Sequence, residues 1–112
     1  MTRGPYTTLL KIQELEFVLK ESEALHGEEK ETQELTERIE KLKTDVPDRL
    51  IKHFTRFRHK GVGIAKEVDG RCRACNMVIP QGTLNRMNTA KEEPVCPTCQ
   101  VYLYLNVFNW EN

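Results

Sequence analysis

Apolar residues recur every three to four positions over the first half of the chain. Between Thr7 and Leu25 they fall at Leu9, Ile12, Leu15 and Leu19, with Phe17 and Val18 on the flank. That period marks one face of a helix, which Thr7 or Thr8 would cap and His26-Gly27 would stop. EEKETQELTERIEKLKTDV repeats the period at Leu35, Ile39, Leu42 and Val46, with acidic residues at its start and lysines at its end, as the helix dipole favours. Two helices joined by so short a turn form an antiparallel hairpin, here a short coiled coil. After Pro47 a third stripe follows in DRLIKHFTRFRHKG, with Leu50, Ile51, Phe54 and Phe57 on one side. The other side collects Arg49, Lys52, His53, Arg56, His59 and Lys60, and this helix is expected to last until Gly61. His53 and His59, far from the cysteines in sequence, read as surface histidines.

Beyond Gly61 the period shortens. In GIAKEVDG, Ile64, Lys66 and Val68 alternate with Ala65 and Glu67, a short strand leading into an Asp69-Gly70 turn. TLNRMN suits one or two helical turns. KEEP, residues 91–94, suits a polar hairpin tip before a strand at Val95–Cys96. VYLYLNVF is nearly continuous in apolar residues, the mark of a strand covered on much of its surface, with Leu103, Tyr104 and Phe108 packing inward. The expected fold is small α+β: a helical hairpin and connecting helix over residues 1–60, then a ribbon of short antiparallel strands over 61–112.

All four cysteines lie in the second part, as Cys72-x-x-Cys75 and Cys96-x-x-Cys99, with twenty residues between the pairs. A C-x-x-C pair on a tight turn aims two sulfurs at one point, and a second pair completes a tetrahedron of thiolates. A thioredoxin-like redox site uses a single pair in a βαβ unit, which this pattern lacks. Disulfides do not suit a reducing compartment. A rubredoxin-like iron site uses the same four sulfurs, so spacing alone does not separate the metals; one structural Zn²⁺ is the expected cofactor. With four cysteine ligands the metal has no open position for water or substrate. No nucleophile–base pair or paired carboxylates remain, so no catalytic residue is assigned and the chain reads as a non-enzyme.

Composition narrows the setting. Hydrophobic residues make up 38% and charged residues 30%, which excludes both a disordered tail and a membrane protein. The opening MTRGPYTTLLKIQELE reaches acidic residues too soon for a signal peptide, so the expected compartment is the cytoplasm. The net charge of zero hides a division: residues 1–46 carry −4 and residues 47–112 carry +4. An anionic partner would therefore meet the second part, where Lys52, Arg56, Arg58, Lys60, Arg71, Arg73 and Arg86 are the candidate contacts with DNA or RNA. A hairpin with one narrow seam also leaves apolar residues for a third element, or for a second copy of the chain in a homodimer.

These residues resemble a bacterial family that joins an N-terminal coiled-coil hairpin to a C-terminal four-cysteine zinc ribbon. The similarity begins at Asp48-Arg49-Leu50-Ile51, continues through Phe54 and Arg56, and resumes at Val68-Asp69-Gly70-Arg71-Cys72 and Cys75-Asn76-Met77. It ends with Ile79-Pro80, Leu84-Asn85, Cys96-Pro97-x-Cys99 and Leu103-Tyr104. The hairpin here is shorter than the family's, Ala74 replaces a common glycine, and Gln100-Val101 stand where a glycine and a basic residue are usual. The resemblance implies an adaptor that binds a protein of the transcription or secretion apparatus through its helices. Direct nucleic-acid binding is the alternative it also carries. A third reading looks to RNA-polymerase channel regulators, which likewise join a helical hairpin to a four-cysteine finger and act through acidic residues at the tip, here ALHGEEKE.

Overall fold

A computed structural model describes residues 4–26 and 30–105. Helix α1 spans Gly4–His26, α2 Lys30–Lys43 and α3 Asp48–Arg56; strands β1 (Ile64–Val68) and β2 (Arg71–Cys72), helix α4 (Gln81–Asn88) and strand β3 (Tyr102–Tyr104) follow. This is the small α+β arrangement expected, helices first and a cysteine-bearing sheet after them. Gly27 and Phe108 lie outside the described residues.

α1 starts a turn earlier than its threonines suggest. Pro5 sits in the first turn, where a proline loses no helical hydrogen bond. Thr8 is inside the helix, and its hydroxyl donates back to the Gly4 carbonyl at 3.0 Å. α3 ends sooner than expected. Pro47 precedes its first turn and Asp48 opens it, but Phe57 is already extended (φ −99°, ψ 99°). The cause is a tight turn farther on: Lys60 and Gly61 both have positive φ, 53° and 83°, and His59 pairs with Val62 across them. Two successive positive φ values are those of a type I′ hairpin, which the helical pattern of 48–60 conceals.

The sheet order is β2-β1-β3. β1 and β2 run antiparallel around Asp69-Gly70 (φ 53° and 76°), with Val68 opposite Arg71 and Glu67 opposite Cys72. β1 and β3 run parallel, Ile64 opposite Tyr102 and Lys66 opposite Tyr104. The expected antiparallel pairing thus holds on one side of β1 only. α4 lies in the connection between β2 and β3, and a crossover of that length permits parallel neighbours.

α1 is the element that joins the two parts of the sequence. Its Tyr6, Leu9 and Ile12 are buried with Ile64, Tyr102, Leu103 and Leu105 of the sheet and Phe54 of α3 in one core. Tyr6 meets Tyr102 edge-on, with ring centroids 5.5 Å apart. The third element that the hairpin needs is the ribbon itself. Gln13, buried in this interface, mimics a neighbouring strand. Its side-chain oxygen accepts from Gly63 N at 2.7 Å and Ile64 N at 3.0 Å, and its amide nitrogen donates to Ile64 O at 2.8 Å. Arg58 lies over the Phe54 ring at 4.3 Å and pairs with Glu16 of α1 at 3.4 Å.

Candidate metal centre

Two loops carry the cysteines, and they repeat one another bond for bond. In the first, Asn76 N donates to Cys72 O at 2.7 Å and Cys72 N to Met77 O at 3.1 Å. In the second, Gln100 N donates to Cys96 O and Cys96 N to Val101 O, both at 2.9 Å. Each loop turns on a left-handed residue just after its second cysteine, Asn76 at φ 62° and Gln100 at φ 67°. Asparagine tolerates that conformation; glutamine does so at a conformational penalty of about 1 kcal/mol. Leu84 and Met87 of α4 are buried in the same core cluster as Cys72 and Cys96, and Pro94, between α4 and the second loop, is fully buried.

The ligand atoms of Cys72, Cys75, Cys96 and Cys99 all lie within 4.8 Å of one another. Cys72 Sγ is 3.8 Å from Cys99 Sγ, and Cys75 Sγ is 3.7 Å from Cys96 Sγ. Bonds of ~2.3 Å from a central ion to four thiolates give a tetrahedron with edges of about 3.8 Å. The four residues are therefore placed to hold one metal ion, and they are too far apart to be disulfides. Cys72 and Cys96 are buried, while Cys75 and Cys99 are half-buried.

The loops also aim backbone dipoles at the sulfurs. Amides of Ala74 and Cys75 donate to Cys72, those of Thr98 and Cys99 to Cys96, and that of Val101 to Cys99. Burial is the largest influence on the thiols of Cys72 and Cys99 and pushes both above the ordinary thiol range. Burial acts the same way on Cys96, but the amides and neighbouring thiols that donate to it bring it below that range. Such amide donors favour thiolate, the form that binds metal.

Five of the seven predicted nucleic-acid contacts have a partner within the chain. Arg58 is engaged with Glu16, Arg86 approaches Glu92 at 3.5 Å, and Lys52 pairs with Asp48 at 3.1 Å. Arg71 donates to Asn76 O at 3.0 Å, within the first cysteine loop, and Arg56 lies 5.5 Å from the Phe57 ring centre. Lys60 occupies the type I′ turn and Arg73 the first cysteine loop.

His53 is the residue that sequence reasoning misplaced. It is half-buried between Phe57 and Tyr102, with ring centroids 4.5 and 4.4 Å away, and its Nε2 meets Gln100 O at 2.8 Å. It thus braces the second cysteine loop from α3. Nothing in the sequence separation of 47 residues signals this contact; only the aromatic at position 57, one turn on, hints at a covered ring. Comparison of the chain with protein-family profiles, curated proteins and solved structures finds no match to any of them. Among the described residues no helix is long and apolar enough to cross a membrane.

Proposed function

We propose that this protein is a non-enzymatic zinc-ribbon adaptor of the cytoplasm, in which one structural Zn²⁺ rigidifies the ribbon and the helices bind a protein partner. The observation that carries the reading is the closed set of four sulfurs at tetrahedral spacing, each loop lending amides to its own cysteine. Four thiolates satisfy Zn²⁺ completely, so the ion folds the ribbon and has no position for substrate. A segment of this size has a core too small to hold it alone, and a structural zinc contributes on the order of 10 kcal/mol to its folding.

The partner reading rests on the resemblance to coiled-coil and zinc-ribbon proteins, which points to a component of the transcription or secretion apparatus. The distribution of charge is consistent with it. Four of the seven candidate nucleic-acid contacts are engaged by carboxylates or a carbonyl of the chain itself, which lowers the positive charge they offer a phosphate backbone.

Two measurements test this reading together. Metal analysis of the purified chain should give one zinc per chain, and cobalt substitution should give the absorption of a tetrahedral thiolate site. Capture of partners by the tagged chain, repeated after nuclease treatment, should retain a protein. Loss of all captured material on nuclease treatment, with salt-sensitive binding to generic DNA or RNA, would replace the adaptor by a nucleic-acid-binding ribbon. A red ferric form carrying iron in place of zinc would overturn the cofactor.

A further inference from the structure

α1 turns different faces to different neighbours. Leu9, Ile12 and Gln13 face the ribbon, and Ser22 meets Thr32 of α2 at 3.1 Å. Leu10, Glu14, Phe17 and Glu21 follow one another at helical spacing and share a further stripe, with Val18 beside it. Phe17 and Val18 are 46% and 48% exposed. Leu10 is half-buried against the core, whereas Glu14, Phe17, Val18 and Glu21 are exposed.

Beside it runs a groove of about 340 Å³ between α1 and the ribbon. Its apolar lining comes from Leu10, Val62, Ala65, Val68 and Ala74, with Glu14 on the helix side and Lys66 and Arg73 on the ribbon side. Arg73 N donates to Lys66 O at 3.1 Å, which holds the two residues next to each other. Both side chains are exposed, and among the described residues neither forms an ion pair, whereas Arg49, Lys52, Arg58 and Arg86 each have a carboxylate partner.

One face of the molecule thus presents an acidic stripe with a protruding aromatic and, alongside it, an apolar groove with two uncommitted cations. We infer that this face is a self-complementary interface, occupied by a second copy of the chain with its α1 antiparallel to the first. Phe17 of each copy enters the groove of the other, and Glu14 and Glu21 of each meet Lys66 and Arg73 of the other. Having both halves of the contact on one surface is what a two-fold interface requires, because each residue is then used twice. Opposite charges fix the register, and the aromatic anchor supplies the buried apolar area. This is independent of the adaptor reading, since it concerns a surface that neither the metal nor α2 occupies.

Sedimentation equilibrium of the full zinc-loaded chain tests it. The expected result is a dimer whose dissociation constant rises with salt. Lys66→Glu with Arg73→Glu should weaken association about tenfold or more, and Glu14→Lys with Glu21→Lys should do the same. An equimolar mixture of the two doubly reversed chains should associate again, because each then meets its opposite. Phe17→Ser, at an exposed position remote from the cysteines, should weaken the dimer with unchanged helical ellipticity and metal content, which separates the interface from the metal loop that holds Arg73. A chain that stays monomeric at low salt overturns the inference, as does a dimer that neither charge reversal nor Phe17→Ser moves.

Discussion

At the scale of single residues, the side chains with the most consequence are those whose patterns mislead. Gln13 lies between apolar neighbours on a helix, and its spacing says only that it faces inward. It is buried because it completes the hydrogen bonding of Gly63 and Ile64, a part no local pattern announces. Gln13→Leu keeps the volume and leaves two buried N–H groups and one carbonyl without partners. That should lower stability on the order of 3 kcal/mol, read as a shift of the urea midpoint at constant slope. Tyr6 predicts a pH dependence. Burial, and then Glu93, push its phenol up to about 12 from the ordinary 10. The folded chain therefore keeps a proton that the unfolded chain releases. The stability tied to Tyr6 is complete below pH 10 and is lost as pH rises through about 12. Tyr102, raised in the same direction chiefly by burial, adds to the loss. Tyr6→Phe should flatten the alkaline decline in urea midpoint, and an unchanged slope would assign the effect elsewhere.

At the scale of elements, the sequence is most readable where chemistry dictates geometry. The C-x-x-C spacing gives the four candidate ligands, Asp69-Gly70 gives the turn between β1 and β2, and the apolar run from Val101 gives β3 with Tyr102 and Leu103 fully buried, flanked by the equally buried Val101 and Leu105. Long-range partners are what local pattern omits, and they account for the misread elements. The helix of 48–60 stops at Arg56 because Lys60-Gly61 turns the chain into the sheet. His53 is covered because the second cysteine loop arrives from far along the sequence. The same junction explains Gly63. A Cβ built there would lie 2.5 Å from the Phe54 carbonyl oxygen and 2.8 Å from its ring, so α3 and the start of β1 meet backbone to side chain with no room for a methyl group. Gly63→Ala should therefore cost about 2 kcal/mol or more by forcing α3 away from the sheet. Gly61→Ala would meet nothing within 4 Å and be strained only by its φ of 83°, so it should lose less. Equal losses at the two sites, measured by thermal unfolding, would mean that Phe54 gives way freely.

At the scale of the molecule, the chain divides by charge between residues 46 and 47 and by chemistry between 60 and 61, while the core crosses both divisions. Leu9 and Ile12 from the acidic part are buried with Ile64, Tyr102 and Leu103 from the basic part, and the Gln13 bonds tie the same surfaces. Cys72 and Cys96 belong to that continuous cluster too. The candidate metal centre and the helical hairpin are thus linked through packed side chains, and losing either should release the other. Four thiolates bind metal only when deprotonated, so acid should remove a bound ion, and a chelator that competes for the ion should do so at neutral pH. With the ion gone, the loops no longer hold β1 and β3 in register, and Tyr6, Leu9 and Ile12 lose the surface they bury against. Chelation should therefore reduce helical ellipticity well beyond the contribution of α4, the one helix between the cysteine pairs. In the cobalt-substituted chain, heating should abolish thiolate charge-transfer absorption and helical ellipticity at the same midpoint, the signature of one cooperative unit. Two separate midpoints, with the helices outlasting the metal site, would show that α1 and α2 stand without the ribbon and that the shared core contributes little.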